Sequence, residues 1–92
     1  MKEKNEVIKI ADMFKMLSNP IRLCILMNLS HGESKNVTQL IHCSNVTQSS
    51  VSQQLAKLKL AGIIKSNKVG SEVYYELKDQ KILDIINYVM KG

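Results

Sequence analysis

The chain lacks the features that would place it in a membrane or outside the cell. Its 92 residues include no tryptophan, one phenylalanine, three tyrosines, one proline and two cysteines. The longest apolar run, LCILM at residues 23–27, is far too short to cross a bilayer. The first residues, MKEKNEVIK, lack the continuous apolar segment of a signal peptide, and two cysteines without an export signal are typical of reduced thiols. We therefore expect a cytoplasmic protein with no membrane association.

Patterns that support catalysis are also missing from the sequence. It contains no glycine-rich phosphate loop, no pair of acidic residues on a hydrophobic face and no suitably spaced Ser-His-Asp set. We therefore predict that the protein is not an enzyme and that it needs no cofactor.

The composition is that of a small basic globular domain. The apolar fraction of 45% excludes a disordered chain, and the length fits one domain over residues 1–92. The formal net charge of +5 favours a polyanionic partner. A basic domain without such a partner has the same composition, so charge alone leaves both alternatives open.

Hydrophobic periodicity and capping residues predict the order of the elements. Asn19 and Pro20 separate the first two helices, and Asn36 with Gln39 forms a capping box that opens a short third helix. The predicted helices span residues 4–17, 20–31, 37–43, 47–62 and 80–90, and the predicted hairpin strands span residues 63–66 and 72–77. The fold class is therefore mainly α with a β-hairpin, in the order α-α-α-α-β-β-α.

The fourth helix has a polar face that helix stability alone does not explain. Val51, Leu55 and Leu58 form one apolar stripe, but short hydroxyls and amides surround them and favour a helix only weakly. The short third helix, a tight turn and this helix form a helix-turn-helix unit, followed by a hairpin with Lys65 and Lys68 as a basic wing. Short donors and acceptors at a helix N-terminus can approach base edges closely. We therefore predict DNA reading by this face, with a polar surface helix as the alternative.

The terminal helices carry more apolar surface than a small domain needs. Six of the nine residues from Ile82 to Met90 are apolar, and the first helix has Ile8 and Met13 off its main stripe. Either the two helices cover each other or each packs on a second subunit. A two-fold homodimer would place two reading helices on successive major-groove faces. The predicted interface consists of Ile8, Ile82, Ile85, Ile86 and Val89.

Three segments resemble those of a known family. They are FKMLSNPIRLCIL at residues 14–26, VTQSSVSQQLAKLKLAGIIKS at 46–66 and VGSEVYYELKD at 69–79. Together they resemble the ArsR/SmtB family of winged-helix repressors, and they are most similar to its small toxin-operon repressors from Gram-positive bacteria. The resemblance implies a homodimer on a palindromic double-stranded DNA operator, released by an unidentified inducer.

The resemblance also implies which residues contact DNA. It places Gln48, Ser49, Ser52 and Gln53 at the contact positions of the fourth helix. The complete predicted set is Thr47, Gln48, Ser49, Ser50, Ser52, Gln53, Lys57, Lys65 and Lys68.

The family's metal-binding positions are altered in this sequence. Metal-sensing members carry a Cys-x-Cys pair at the start of the third helix, where this chain has Asn36 and Thr38. The other family site begins with Asp and His at the last helix. Asp79 is present, but Lys81 stands in place of the histidine, and the sequence ends at Gly92 before the distal ligands. Because a transition-metal site needs about four ligands, we predict that the protein binds no metal.

The cysteines leave an alternative function open. Cys24 and Cys43 each fit the role of a small buried hydrophobic residue, and His31 and His42 fit exposed positions. A repressor that responds to thiol oxidation through Cys24 and Cys43 is one alternative. A winged-helix module that grips another protein through its fourth helix is the other, and the salt dependence of binding separates it from a DNA-binding protein.

The altered metal positions generate the first prediction. Excess Zn²⁺ or Cd²⁺, added with reductant to the operator-bound protein, should change operator affinity by less than about threefold in fluorescence anisotropy. A saturable loss of about tenfold or more, abolished by Cys24→Ser or Cys43→Ser, would contradict this expectation. A loss that occurs only under oxidant and is reversed by thiol would favour the redox alternative.

Overall fold

The structure is a computed structural model that describes residues 3–42 and 46–91, and it confirms a mainly helical fold with a hairpin wing. The helices are α1 Lys4–Leu17, α2 Pro20–Leu29, α3 Val37–Leu40, α4 Gln48–Leu60 and α5 Gln80–Lys91. The strands are β1 Lys35–Asn36, β2 Ile64–Val69 and β3 Glu72–Leu77. Helix α2 ends two residues before the predicted His31, and the predicted end of α3 at Cys43 lies outside the described residues.

Side-chain caps set the starts of the helices. The Asn19 Oδ1 atom accepts hydrogen bonds from the backbone N–H groups of Ile21 and Arg22, at 2.9 and 3.0 Å. Asn36 and Gln39 form the predicted reciprocal capping box at α3. These bonds satisfy donors that the first turn of a helix leaves unpaired, so the chain breaks where the sequence predicts.

The wing is a longer hairpin than its sequence pattern predicts. Strands β2 and β3 pair antiparallel from Ile64 opposite Leu77 to Val69 opposite Glu72. The residues between them include Gly70, whose φ of 64° is a conformation that glycine adopts without strain. The five residues 67–71 between the predicted strands are therefore reduced to a turn of two residues.

A third strand extends the sheet on its other side. Strand β1 pairs antiparallel with β3, which gives the strand order β1-β3-β2. A strand of two residues shows no alternation of apolar and polar positions, so periodicity could not reveal it. This strand joins the wing directly to the start of α3.

Among the residues that the structure describes, the buried apolar side chains form one cluster where α2–α5 and the hairpin meet. No residue of α1 is fully buried, although Met13, Met16 and Leu17 pack partly against the cluster. None of the described helices has the length and apolar character needed to cross a membrane. The buried members are Ile25, Leu26, Leu29, Leu40, Val51, Leu55, Leu58, Ile63, Ile64, Ile82 and Ile86.

The Asn19 cap generates a stability prediction. Asn19→Ala should lower the free energy of unfolding by about 1 kcal/mol, because two backbone donors lose their acceptor. For a domain of this size the melting temperature should fall by about 4–8 °C, measured at one fixed protein concentration. The matched control is Asn5→Ala on the exposed side of α1, which should change stability by less than about 0.5 kcal/mol. Equal losses in both variants would show that the cap has no specific effect.

Candidate nucleic-acid interface

The buried face of α4 determines which side of this helix a partner can reach. Val51, Leu55 and Leu58 have at most 1% of their surface exposed and belong to the core that α4 shares with α2 and α3. Since these residues occupy positions i, i+4 and i+7, they form one continuous face. The other side of α4 is directed away from the core.

The outward side of α4 carries short polar side chains. Gln48, Ser49, Ser52 and Gln53 are exposed, and Lys57 continues the same surface one turn later. In the part of the chain that the structure describes, these side chains form no hydrogen bond or ion pair. Their donors and acceptors are therefore available to base edges and phosphates. We refer to these five residues as the polar row.

Thr47 and Ser50 lie at the same end of α4 but bond within the helix. The Thr47 Oγ1 atom accepts a hydrogen bond from the backbone N–H of Ser50 at 3.1 Å. The Thr47 hydroxyl also donates to Ser50 Oγ at 3.0 Å, and Ser50 is half-buried. The structure gives both residues a capping role, while their DNA contacts stay a prediction.

The wing is electrically neutral rather than basic. Residues 64–77 contain two lysines and two glutamates, which gives a net charge of zero. Lys65 Nζ lies 2.9 Å from Glu76 Oε1, so its charge already faces a carboxylate. Lys68 forms no ion pair with any residue in the described ranges. The expectation of a basic hairpin is therefore wrong in net charge, and Lys68 is the wing lysine left available to a phosphate.

Hydrogen bonds link the start of β3, next to the turn of the wing, to the start of α3. The Asn36 Nδ2 atom donates to Glu72 Oε2 at 2.7 Å, and the Tyr74 hydroxyl donates to the same oxygen at 3.4 Å. The Asn36 side chain thus caps α3 with its Oδ1 atom and bonds to β3 with its Nδ2 atom. Sequence reasoning found the capping box but missed this link, because no local pattern joins residues so far apart. The link restrains the wing relative to the helix-turn-helix unit.

The predicted interface residues fall into two groups. Ile8 and Val89 are 49% and 70% exposed, and Ile85 is half-buried. Ile82 and Ile86 are only 1% and 3% exposed within the single chain. Their assignment to a subunit interface is therefore corrected to a role in the core of each protomer, where they pack α5 on α2 and the shared apolar cluster.

Sequence reasoning left several other exposed apolar residues of α1 and α2 out of the predicted interface. Val7, Ile10, Phe14 and Leu23 are all exposed. An open groove of about 390 Å³ lies between α1, α2 and α5. Its lining is Phe14, Leu17, Leu23, Met27, Ile85, Ile86, Val89 and Met90. A contiguous apolar surface of this kind is unusual on a monomeric soluble protein.

The cysteine and histidine positions do not assemble into a metal site in the described ranges. No group of three or more His, Cys, Asp or Glu side chains that could hold a metal occurs among residues 3–42 and 46–91. His31 and His42 are exposed. Cys24 is half-buried on α2 and disulfide-bonded, which differs from the expected reduced thiol. Cys43 lies outside the described residues, so the redox alternative stays open.

Comparison with known proteins places this geometry among bacterial regulators. The chain is similar to the transcriptional repressor PagR of Bacillus anthracis, with 37% identity over 76 residues that cover 83% of this chain and 76% of PagR. It is also similar to the biofilm growth-associated repressor of Xylella fastidiosa, with 33% identity over 86 residues, 94% of this chain and 72% of that protein. The crystal structure of PagR superposes with a TM-score of 0.80 at 33% identity and covers 95% of this chain and 99% of PagR.

The family comparison covers α4, which carries the polar row, and the helices α2 and α3 on which α4 packs. Residues 19–66 match the family described as "Bacterial regulatory protein, arsR family", and this segment runs from the cap of α2 through α4 into β2. The match confirms the predicted winged helix-turn-helix class. The chain therefore belongs to the arsR family of bacterial regulatory proteins and is a DNA-binding transcriptional repressor rather than an enzyme.

Proposed function

We propose that the protein acts in the cytoplasm as a homodimer that represses transcription from a palindromic double-stranded DNA operator. The observation that carries this proposal is the polar row, which is exposed and without partners in the described chain, although the other face of α4 is fixed in the core. The names of PagR and the Xylella protein as repressors support the same function.

In this proposal α4 lies in the major groove with its N-terminal half against the bases. Each glutamine amide of the polar row offers one donor and one acceptor group, which match the N7 and N6 edge of adenine. The serine hydroxyls of Ser49 and Ser52 can bond to either a donor or an acceptor on a base. Reading by these side chains therefore provides sequence preference rather than general affinity.

General affinity comes from positive charge near the phosphates. The formal net charge of the chain is +5, and Lys57 and Lys68 are exposed on α4 and the wing. Each lysine that neutralises a phosphate releases condensed counterions, so binding should weaken steeply with salt. A protein-binding module would show no such dependence on the phosphates.

A second copy of the chain is the proposed cover for the apolar side of α1 and α5. The exposed residues Phe14 and Val89 and the groove between α1, α2 and α5 lie on this side, and Ile8 is exposed elsewhere on α1. Two-fold packing would bury this surface on both copies at once. It would also place the two α4 helices about one helical turn of DNA apart, roughly 34–36 Å, which matches two half-sites.

If the polar row reads bases, substitutions in it should reduce the affinity for specific DNA more than the affinity for non-specific DNA. The test uses a duplex enriched by the protein from a random library and a scrambled duplex of equal length. Gln48→Ala or Ser52→Ala should cost about 1–3 kcal/mol on the enriched duplex and much less on the scrambled one, because base contacts are lost. Fluorescence anisotropy at one salt concentration measures both affinities.

Lys68→Ala is the matched control for this measurement. It should weaken binding to both duplexes similarly and reduce the salt slope by about one unit, because it removes a phosphate contact. Equal losses on both duplexes after Gln48→Ala and Ser52→Ala would contradict base reading by these residues. Failure to enrich any duplex would contradict the proposed function itself.

If the apolar side of α1 and α5 is the subunit interface, a charge introduced on that side should separate the subunits, and a charge elsewhere should not. Val89→Glu should give a folded monomer in sedimentation at concentrations where the wild type is a dimer, because a carboxylate in a buried interface is costly. Val69→Glu is the matched control, since Val69 is 64% exposed at the wing. It should remain a dimer.

Ile86→Glu cannot serve as the interface test because Ile86 is a core residue in the single chain. That substitution should unfold the protein rather than separate subunits. A Val89→Glu protein that keeps the wild-type dimer would show that this side of the molecule is not the interface. A folded monomer should also lose most of its operator affinity, since one half-site offers few contacts.

A further inference from the structure

The guanidinium group of Arg22, on α2, bonds to two other helices, α1 and α4. Its Nε donates to the Met16 carbonyl oxygen at 2.8 Å, and its Nη2 donates to the Lys15 carbonyl oxygen at 3.4 Å. Both carbonyls belong to the last turn of α1. Its Nη1 donates to Gln54 Oε1 at 2.7 Å, in the middle of α4. One side chain of α2 therefore bonds to the end of α1 and to α4 at the same time.

The C-terminal end of α1 favours a positively charged side chain such as that of Arg22. The last carbonyls of a helix carry a partial negative charge that favours a nearby cation. The Lys15 carbonyl oxygen also accepts from the backbone N–H and the hydroxyl of Ser18, at 3.2 and 2.8 Å, so the shorter Arg22 bond to the Met16 carbonyl oxygen is the main link to α1. The guanidinium is planar, with donors in fixed directions. Once two of its nitrogens bond to the end of α1, the direction of the third toward Gln54 is set.

Gln54 occupies a position on α4 that can transmit this restraint to the reading surface. It is half-buried, one residue after the exposed Gln53 of the polar row and one turn from the buried Val51 and Leu58. Arg22 can only donate, so the Gln54 side chain presents its oxygen to it. The amide of Gln54 is thereby engaged with the scaffold rather than with solvent.

We propose that Arg22 and Gln54 are positioning residues that fix the orientation of α4 relative to α1 and thereby determine how well the operator is distinguished from other DNA. The inference rests on the proposed function, in which α4 reads the operator and α1 belongs to the subunit interface. Neither residue needs to contact DNA for this role.

The inference follows because apolar packing and hydrogen bonds to bases differ in how strictly they require one orientation of α4. Apolar burial is non-directional, so the core holds α4 in place while tolerating small rotations of the helix. Hydrogen bonds to base edges weaken steeply when their angles are poor. Only the fraction of molecules with a competent α4 orientation binds the operator well, so loss of the Arg22–Gln54 bond reduces the apparent operator affinity. Flexible lysines still reach phosphates, so affinity for scrambled DNA is preserved.

The experiment measures the ratio of affinities for the enriched duplex and for the scrambled duplex. Gln54→Met removes the acceptor but keeps a side chain of similar length. The ratio should fall about three- to tenfold, the equivalent of one lost hydrogen bond. Gln80→Met is the matched control, because it also removes a glutamine side-chain bond, here the exposed one from Gln80 Nε2 to Asp84 Oδ1 at 2.9 Å on α5. This control should leave the ratio unchanged within about twofold.

A second variant separates positioning from direct contact with DNA. Gln54→Glu keeps an acceptor and gives Arg22 a charge-assisted bond. Its added negative charge weakens binding to both duplexes equally, so the ratio should stay within about twofold of the wild type. A ratio that falls equally in Gln54→Glu and Gln54→Met would show that Gln54 touches the bases itself and would overturn the inference. Arg22→Met combined with Gln54→Met should lose no more than the larger single loss, because the two residues act through one bond.

A measurement without DNA distinguishes this inference from the proposed function. Backbone amides of α4 from Val51 to Leu58 should exchange with solvent faster in Gln54→Met than in Gln80→Met, because α4 is less restrained. Unchanged exchange in Gln54→Met, or an unchanged ratio in a protein whose wild type discriminates the enriched duplex, overturns the positioning role alone. A wild type that discriminates no duplex overturns the proposed function and this inference together.

Discussion

The burial of Val51, Leu55 and Leu58 is the constraint on which the rest of the molecule depends. These three side chains are almost completely inaccessible, and they hold α4 against α2 and α3. Burial of one face leaves the opposite face as the only one that a partner can reach. The choice of short polar residues there then has little effect on stability, and it leaves a set of donors and acceptors that the fold itself does not use.

Specificity and general affinity for DNA are carried by different parts of the structure under this account. The polar row has many hydrogen-bonding groups and one charge, whereas the wing has equal numbers of lysines and glutamates. The Lys65–Glu76 pair further reduces the charge that the wing offers to phosphates. Because the wing adds little net charge, more of the discrimination depends on α4, and therefore on the interactions that orient it. The bonds of Asn36 to β3 and of Arg22 to α1 and α4 restrain the wing and the reading helix in this way.

Most elements of the fold could be predicted from the sequence because their signals are local. Asn19 before Pro20 and the Asn36 and Gln39 pair are capping patterns within a few residues, and the structure shows both caps. The apolar stripe of α4 also follows from spacing alone, and its three members are buried as predicted. The family match over residues 19–66 agrees with these local signals.

The missed features all depend on contacts between distant parts of the chain. Strand β1 exists because it pairs with β3, and two residues have no pattern of their own. The Lys65–Glu76 pair forms because the strand register brings the two side chains together. Ile82 and Ile86 face the core rather than the outside of α5, a choice that apolar character cannot decide when most of a helix is apolar. The Arg22–Gln54 bond likewise links residues that only the folded helices bring close.

The central claim is that the polar row of α4 reads bases in the major groove of an operator. The most direct measurement is the affinity for an enriched duplex in which single purines are replaced by deazapurines that lack the N7 acceptor. This replacement removes one major-groove acceptor and keeps the base pair intact. The account predicts losses in two short tracts whose centres are about 10 base pairs apart, one for each α4 of the dimer. An enriched duplex that tolerates the replacement at every purine would contradict the account.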